Sequence, residues 1–440
     1  MSEILVHQFE NGLILLGEAM PWLESAAFSI SVPAGGRYDP PDRFGLANLV
    51  CEMTERGAGT RDSRRYIEDL EYLGVDSHSA ASNSHIAFAG AMPAENLLPA
   101  IEIYSDVLRK PHLPESQFED AKKVCYQEVL SLEDDLAQQV MLELKRLHYP
   151  EPLGRSPLGT LKDLSSATLH DVQTHHETRF RPEGTLIGVA GNIDWHRLVE
   201  GVEQLLGDWE NRPLPEIEIT PSTGGVQHLT QDCQQTHIGV AYPTVPYRHP
   251  DYYKARGAVG VLSDGMSSRL FAEIREKRGL CYTVYASLHS LYDHACVLAY
   301  AGTSADRAQE TLSLLLNEFK QMKDGISEAE LDRLKVQIRS NLVMQQESSR
   351  SRASAIAGDW YHLGTTRTLA EIQRQIDGLS VNSINEYLEC HPPQTFDVVT
   401  LGPNALEVSP RSLNTRCSIM DFKWSPKSTR RPTQPPSVSL

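Results

Sequence analysis

The residues whose types and spacing could do chemistry begin with Asn48, Cys51 and Glu52, which follow a Gly-Leu-Ala sequence. Asn48 and Glu52 are four residues apart, so in a helix they would share a face. Two histidines at such positions could hold one zinc ion, and a carboxylate before the second could act as general base on zinc-bound water. Here the three positions hold an amide, a thiol and a carboxylate. An amide oxygen is a poor zinc ligand and a thiol cannot replace the base, so the stretch predicts a metal site that has lost its chemistry.

A further carboxylate, Glu128, is predicted on the same helix face as the apolar residues Cys125 and Leu132. A carboxylate on an apolar stripe is costly unless it is paired, hydrogen-bonded or bound to metal. We favour a carboxylate that is hydrogen-bonded to a neighbouring loop, and a third metal ligand is the alternative.

Two other activities for these residues stay open. Asn48, Glu52 and Glu128 together would offer hard oxygen ligands, which suit Mg²⁺ or Ca²⁺ better than zinc, although three protein ligands make a weak site. Cys51 could act as a nucleophile only if a histidine from elsewhere, such as His78 or His85, served as its base. We predict no metal and no cofactor in this chain.

The elements that must position these residues follow from sequence patterns. Residues 27–32 alternate as a strand, a Gly/Pro loop precedes the helix that contains Asn48, and a helix over 114–135 contains Glu128. Similar strands and helices return in the second half of the chain, at a period near half its length. The polar, proline-bearing stretch 208–226 is the predicted linker.

The predicted fold class is α+β, with two homologous halves, each a mixed β-sheet that is covered on one face by helices. The predicted boundaries are an N-terminal domain over 1–207, the linker, a C-terminal domain over 227–423, and a disordered tail over 424–440 rich in Pro, Ser and Arg.

Composition limits the class of protein. The chain has 440 residues and a formal net charge of −17, which argues against a nucleic-acid partner because phosphate binding needs a basic surface. No stretch approaches the roughly 18 consecutive apolar residues of a membrane span, and the N-terminus lacks the basic and apolar regions of a signal peptide. The seven cysteines include no C-x-x-C pair. We therefore expect reduced thiols and a cytoplasmic protein.

Several short segments, in their order and spacing, carry a family resemblance from about residue 10 to about residue 402. The chain resembles the pitrilysin/insulinase superfamily of zinc peptidases, whose inverted motif is H-x-x-E-H. More narrowly, it is similar to the short-chain branch that includes mitochondrial processing peptidase subunits and bacterial two-subunit peptidases. The segments are Asn11-Gly12-Leu13, Gly35-Gly36-Arg37-Tyr38, Gly45-Leu46-Ala47-Asn48, Leu158-Gly159-Thr160, Phe180-Arg181-Pro182-Glu183, Gly191-Asn192-Ile193-Asp194 and the run from Ser268 to Tyr282.

The resemblance implies roles for the first-half residues. Asn48 and Glu52 occupy the two histidine positions, Cys51 the base position and Glu128 the third-ligand position, so only one member of the zinc site is intact. His78 stands where catalytic members usually have an asparagine that contacts substrate, which places substrate contacts of this half in doubt.

The resemblance also implies that two such chains enclose a chamber for unfolded peptide. Arg275 and Tyr282 match an arginine–tyrosine pair that reaches into this chamber, where the tyrosine hydrogen-bonds the developing oxyanion. The simpler interpretation is an ion pair at a helix end for Arg275 and core packing for Tyr282.

The resulting functional prediction is a non-catalytic subunit of a heterodimeric zinc peptidase, inactive alone. Its expected partners are a homologous subunit with an intact H-x-x-E-H motif, which would carry the zinc, and a peptide substrate, with no nucleic acid and no membrane. The alternatives are a purely structural subunit, like the core proteins of a respiratory complex, and a peptide-binding clamp without hydrolysis.

Overall fold

The computed structural model describes residues 3–213 and 216–408. The predicted tail over 424–440 and the last part of the predicted second domain, 409–423, lie outside the described residues. Within the described parts of the chain, no helix is long and apolar enough to cross a membrane.

The first half of the chain contains eight strands and eight helices within its described residues. The strands are β1 (Ile4–Gln8), β2 (Ile14–Ala19), β3 (Ser25–Val32), β4 (Gly57–Ala58), β5 (Arg61–Asp62), β6 (Asp76–Ala81), β7 (Ile86–Pro93) and β8 (Leu186–Gly191). The helices are α1 (Leu46–Thr54), α2 (Ser63–Tyr72), α3 (Leu97–Arg109), α4 (Phe118–Asp134), α5 (Leu136–His148), α6 (Leu161–Ser166), α7 (Leu169–Arg179) and α8 (Trp195–Leu206).

The described residues of the second half form fewer strands. They are β9 (Val226–Thr230), β10 (Gln235–Pro243), β11 (Cys281–Ser290), β12 (Ala295–Ser304) and β13 (Asp397–Gly402). The helices are α9 (Tyr252–Ser263), α10 (Ala308–Gln321), α11 (Glu328–Gln345), α12 (Ser349–Leu363), α13 (Leu369–Asp377) and α14 (Val381–Cys390), with a π-helical turn over Phe271–Glu276.

The two large sheets repeat one topology. The first has the order β1-β2-β8-β3-β7-β6 and the second β11-β12-β10-β13-β9. When β1 is set aside, each sheet places its strands in the chain order first, fifth, second, fourth, third, and only the first–fifth pair is parallel. The internal duplication and the mixed sheets are thus as the sequence predicts, and the α+β prediction is confirmed.

The main core of each half lies between its sheet and its own helices. In the first half Phe28 and Phe88 on neighbouring strands pack with Leu49 of α1 and Tyr104 of α3, all fully or almost fully buried. The alternation of apolar residues along β7 and their helical spacing along α3 produce these two facing surfaces.

The opposite face of each sheet receives one helix from the other half. Helix α12 packs Ala353 and Ile356 on the first sheet, and α5 packs Val140 and Leu144 on the second. The approach of α12 requires glycine at position 188 of β8, because a Cβ there would come within 2.3 Å of the Ala353 carbonyl oxygen. The halves are therefore interlocked by an exchange of helices.

Buried polar pairs fix both exchanged helices. Arg352 of α12 donates through Nε to the Glu18 carboxylate of β2 at 2.7 Å, and both side chains are buried. His148 at the end of α5 lies 2.7 Å from the buried Asp397 carboxylate of β13. The division at 208–226 remains a proposal, since α5 belongs to the predicted first domain by sequence but packs on the second sheet.

Candidate functional site

The start of α1 is fixed by a buried carboxylate. Gly45, the residue before the helix, has a φ of 90°, and a Cβ there would meet the Leu158 carbonyl oxygen at 2.6 Å. Asp39 accepts hydrogen bonds from the backbone N–H groups of Gly45 and Ala47 at 2.8 and 2.9 Å. Burial raises the pKa of Asp39 to about 7, although these hydrogen bonds oppose the rise. Helix α1 is thus held in the orientation from which its side chains face α4.

Asn48 and Glu128 are brought together, as the resemblance implies, but they bond to each other. The Asn48 Nδ2 group donates to Glu128 Oε2 at 2.5 Å and lies 3.6 Å from Cys125 Sγ. Glu128 is exposed. The expected hydrogen bond to Glu128 exists, but the expected loop partner is wrong, because the partner is a side chain of α1.

Glu52 is held by an arginine that the sequence interpretation missed. Arg56 Nη2 donates to Glu52 Oε1 at 2.6 Å, in an ion pair whose side chains are 17% and 32% exposed, respectively. Arg56 Nη1 also reaches Gln117 Oε1, at 3.5 Å. The spacing of four residues between the two charges is the signal that could have found this pair.

Cys51 faces the hydrophobic core rather than the surface that Asn48 and Glu128 occupy, and it is 4% exposed. Burial raises the pKa of its thiol well above the usual range, and the charge of Glu55 raises it further. The thiol is therefore protonated at neutral pH and is a poor nucleophile. Among the described residues, no hydrogen bond joins Cys51 to His78 or His85; the His85 ring instead packs edge-on against Tyr361, with ring centroids 4.5 Å apart. Burial lowers the pKa of His85 to about 3.

Asn48, Cys51, Glu52 and Glu128 together do not fit a zinc ion. Asn48 donates its amide N–H to Glu128, and Arg56 neutralises the charge of Glu52, so these side chains are held by one another and by Arg56. No group of three or more His, Cys, Asp or Glu side chains in the described residues is arranged to hold a metal. No hydrolytic step can be derived from this cluster.

Arg275 and Tyr282 form a second cluster, in the other half of the chain. The Arg275 guanidinium lies over the Tyr282 ring at 4.9 Å and over the Phe271 ring at 4.6 Å. Arg275 belongs to the π-helical turn, and Tyr282 stands at a register shift between Cys281 and Thr283 of β11. Such turns and bulges change the direction of a side chain. Here they bring the two side chains into contact.

This pair faces outward. Tyr282 is 82% exposed, so it does not pack in the core. Within the described residues no carboxylate lies within 4 Å of Arg275, and no hydrogen bond or ion pair joins the pair to Asn48, Glu52 or Glu128. The stacking fixes both groups and leaves their polar atoms available to a ligand.

The fold and the two clusters define a duplicated peptidase scaffold whose metal-ligand positions have been replaced. Residues 17–161 match the family described as insulinase (peptidase family M16), and residues 166–338 match the peptidase M16 inactive domain. The chain belongs to the insulinase family of peptidases. Asn48, Cys51, Glu52 and Glu128 do not assemble a zinc site in the described residues.

Individual relatives agree with this assignment. An uncharacterized zinc protease of Rickettsia bellii is 25% identical over 403 residues, which cover 91% of this chain and 98% of the relative. The solved peptidase M16 inactive domain from Pseudomonas fluorescens superposes with a TM-score of 0.83 at 20% identity, over 92% of this chain and 99% of that chain. A chain of complex III from Candida albicans does so with a TM-score of 0.77 at 18% identity, over 91% and 96%. At these identities the solved structures show the fold alone.

Proposed function

We propose that this chain is the non-catalytic half of a heterodimeric zinc peptidase. A homologous subunit with an intact H-x-x-E-H motif supplies the zinc and the general base, and this chain closes half of the chamber around the peptide. Arg275 and Tyr282 then hold the peptide bound at the partner's zinc. The observation that carries the proposal is the outward placement of this stacked pair on a chain whose described residues form no zinc site.

The chemistry of the pair suits peptide hydrolysis. Attack on a peptide carbonyl places negative charge on its oxygen, and a positioned O–H donor stabilises that charge most in the transition state. The Tyr282 hydroxyl is exposed, and the Arg275 guanidinium against its ring face limits the rotation of both side chains. Arg275 also offers N–H donors for the carbonyl groups of an extended peptide.

The test is the Tyr282→Phe substitution in the assembled complex. Loss of one oxyanion donor should lower kcat on the order of 10²–10³-fold, with the complex intact by gel filtration. Tyr285→Phe is the matched control, because Tyr285 lies on the same strand, is 40% exposed and has no hydrogen bond through its hydroxyl among the described residues. Unchanged kcat in Tyr282→Phe would overturn the role proposed for this hydroxyl.

A purely structural subunit is the second candidate, and a chain of complex III is a protein with this fold. Under that proposal both tyrosine substitutions leave any associated peptidase activity unchanged. Affinity capture from the native lysate separates the two: a similar-sized homologue with an intact motif, recovered near 1:1, supports the peptidase subunit. Recovery of membrane-complex subunits supports the scaffold.

A peptide-binding clamp is the third candidate, and the edge of the first sheet favours it. Strand β6 pairs only with β7 among the described strands, and Ser77 and His78 are exposed. An extended peptide can add to such an edge through backbone hydrogen bonds. The clamp requires peptide binding by the isolated chain and no cleavage with any partner, which fluorescence anisotropy with a labelled unfolded peptide measures.

The cytoplasm is the compartment we propose. The six cysteines of the described residues are all unpaired, which fits a reducing environment. Fractionation of the native cell, with the captured partner followed in parallel, tests the location.

A further inference from the structure

A basic cavity lies on the first half, and none of the residues of the two clusters lines it. Its volume is about 610 Å³, and it is bounded by Tyr38, by α7 and by Arg212 and Pro213. Three arginines line it: Arg179, Arg181 and Arg212. In a chain with a net charge of −17, three arginines around one cavity are a local reversal of charge.

The three arginines of this cavity form no ion pair within the described residues. Within the described residues, no carboxylate oxygen lies within 4 Å of the guanidinium nitrogens of Arg179, Arg181 or Arg212. One acidic residue, Asp171, is among the described residues that line the cavity, and it already pairs with Arg43 at 3.3 Å. The cavity therefore carries an excess of positive charge.

Arg181 supplies a fixed, buried charge. Its side chain is 1% exposed, and its donors are used on backbone carbonyl oxygens, including those of Thr178, Arg179 and Arg212. Burial lowers the pKa of Arg181, and the charge of Arg179 lowers it further. An anion in the cavity would relieve this repulsion between like charges.

Arg179 and Arg212 can contact a ligand directly. Arg179 lies over the Tyr38 ring at 4.9 Å, and its guanidinium donates no hydrogen bond within the described residues. Arg212 uses one nitrogen, Nη1, to donate to the Glu177 carbonyl oxygen. Guanidinium groups with free donors bind the paired oxygens of phosphate and carboxylate in a fork.

We propose that this cavity binds a small multivalent oxyanion, in which several phosphate or carboxylate groups are close together. Arg179 and Arg212 bond its oxygens, and Arg181 supplies the buried charge between them. The bound anion joins α7 to residues 212–213, where the chain leaves the first half. Occupancy thus stabilises the path of the linker against α7, and it does not depend on the peptidase partner.

The experiment is calorimetric titration of the full chain with pyrophosphate and, separately, with citrate, at low and equal ionic strength. We expect saturable binding that weakens with added salt. Arg179→Gln and Arg212→Gln should each weaken binding on the order of tenfold, the usual consequence of losing one hydrogen bond to a charged group. Arg181 is left intact, because its removal would leave several buried carbonyl groups unpaired.

Arg64→Gln is the matched control, since this arginine is 86% exposed, pairs with Glu68 and lies on α2. It should leave the affinity unchanged. Binding of pyrophosphate alone assigns a phosphate-bearing ligand, and binding of citrate alone assigns a carboxylate-bearing one. Absence of saturable binding of both anions, or an equal loss in Arg64→Gln, would overturn the proposal.

Discussion

Replacement of His148 by glutamine tests the contact that ties α5 to the second sheet. His148 lies in the first half by sequence, and its Nδ1 is 2.7 Å from an oxygen of the buried Asp397. The other oxygen of Asp397 accepts a hydrogen bond from the Gly225 backbone N–H at 2.6 Å, at the end of the linker. Protonation of His148 therefore strengthens a junction between α5, the linker and β13.

The size of the effect follows from two opposed influences. Burial favours the neutral imidazole, but hydrogen bonds with Asp397 and Cys296 and the charge of Asp397 outweigh it, and the pKa of His148 rises from 6.5 to about 9. A pKa shift of this size corresponds to about 3 kcal/mol of pH-dependent stability. The folded-state pKa is the higher one, so the stabilisation is complete below about pH 6.5 and is lost between about pH 6.5 and pH 9.

The assay is urea unfolding at about pH 6 and about pH 9.5, with the wild type and His148→Gln compared at each pH. Glutamine keeps a hydrogen-bonding group but cannot become charged, so the variant should be less stable by about 3 kcal/mol at the lower pH and by much less at the higher pH. Ionisable groups that do not contact His148 contribute to both proteins alike and cancel in the difference. His196→Gln, on the exposed surface of α8, should show no pH-dependent difference.

A difference that does not change with pH would refute the reasoning. A difference that grows as the pH rises would refute it more specifically, because burial would then outweigh Asp397 and place the folded-state pKa below 6.5. A histidine NMR titration measures the same quantity directly.

Two further sets of substitutions test the other exchanged helix and the altered metal site. Arg352→Met leaves the buried Glu18 carboxylate without its cation and should lower the free energy of unfolding by about 3–5 kcal/mol, and Glu18→Gln/Arg352→Met together should recover much of it in the same urea assay. The triple substitution Asn48→His, Cys51→Glu and Glu52→His should bind about one zinc per chain by elemental analysis, because α1 and α4 already have the required arrangement. A triple variant that folds but binds no zinc would contradict the claim that α1 and α4 already have the required arrangement.

The parts of the fold predictable from sequence are those that depend on local patterns. Alternation along residues 27–32 and the linker composition at 208–226 indicated the strands and the two halves. The exchange of helices could not be predicted, because the apolar face of α5, with Val140 and Leu144, shows that it packs on something apolar but not on which sheet. Gly188 and Gly239 allow the two exchanged helices to approach the sheets closely. In the sequence they look like any other glycine of a strand.

The candidate sites could be predicted from the sequence to different extents. The Asn48–Glu128 contact follows from the family resemblance, whereas the pairing of Glu52 with Arg56 requires the side-chain direction on α1. The stacking of Arg275 on Tyr282 depends on the register shift in β11, which no periodicity reveals.

The contacts around α1 determine which substitutions could restore zinc binding. A zinc site balances its carboxylates with a divalent cation, and here Arg56 and the amide of Asn48 stabilise the two carboxylates instead. A single histidine at position 48 would remove the donor from Glu128, yet Glu52 would still be paired and no second imidazole would exist. The single substitutions at positions 48 and 52 therefore each lose a hydrogen bond or an ion pair without completing a metal site, and the one at position 51 adds no imidazole. Zinc binding should appear with the complete triple substitution and with none of the single ones.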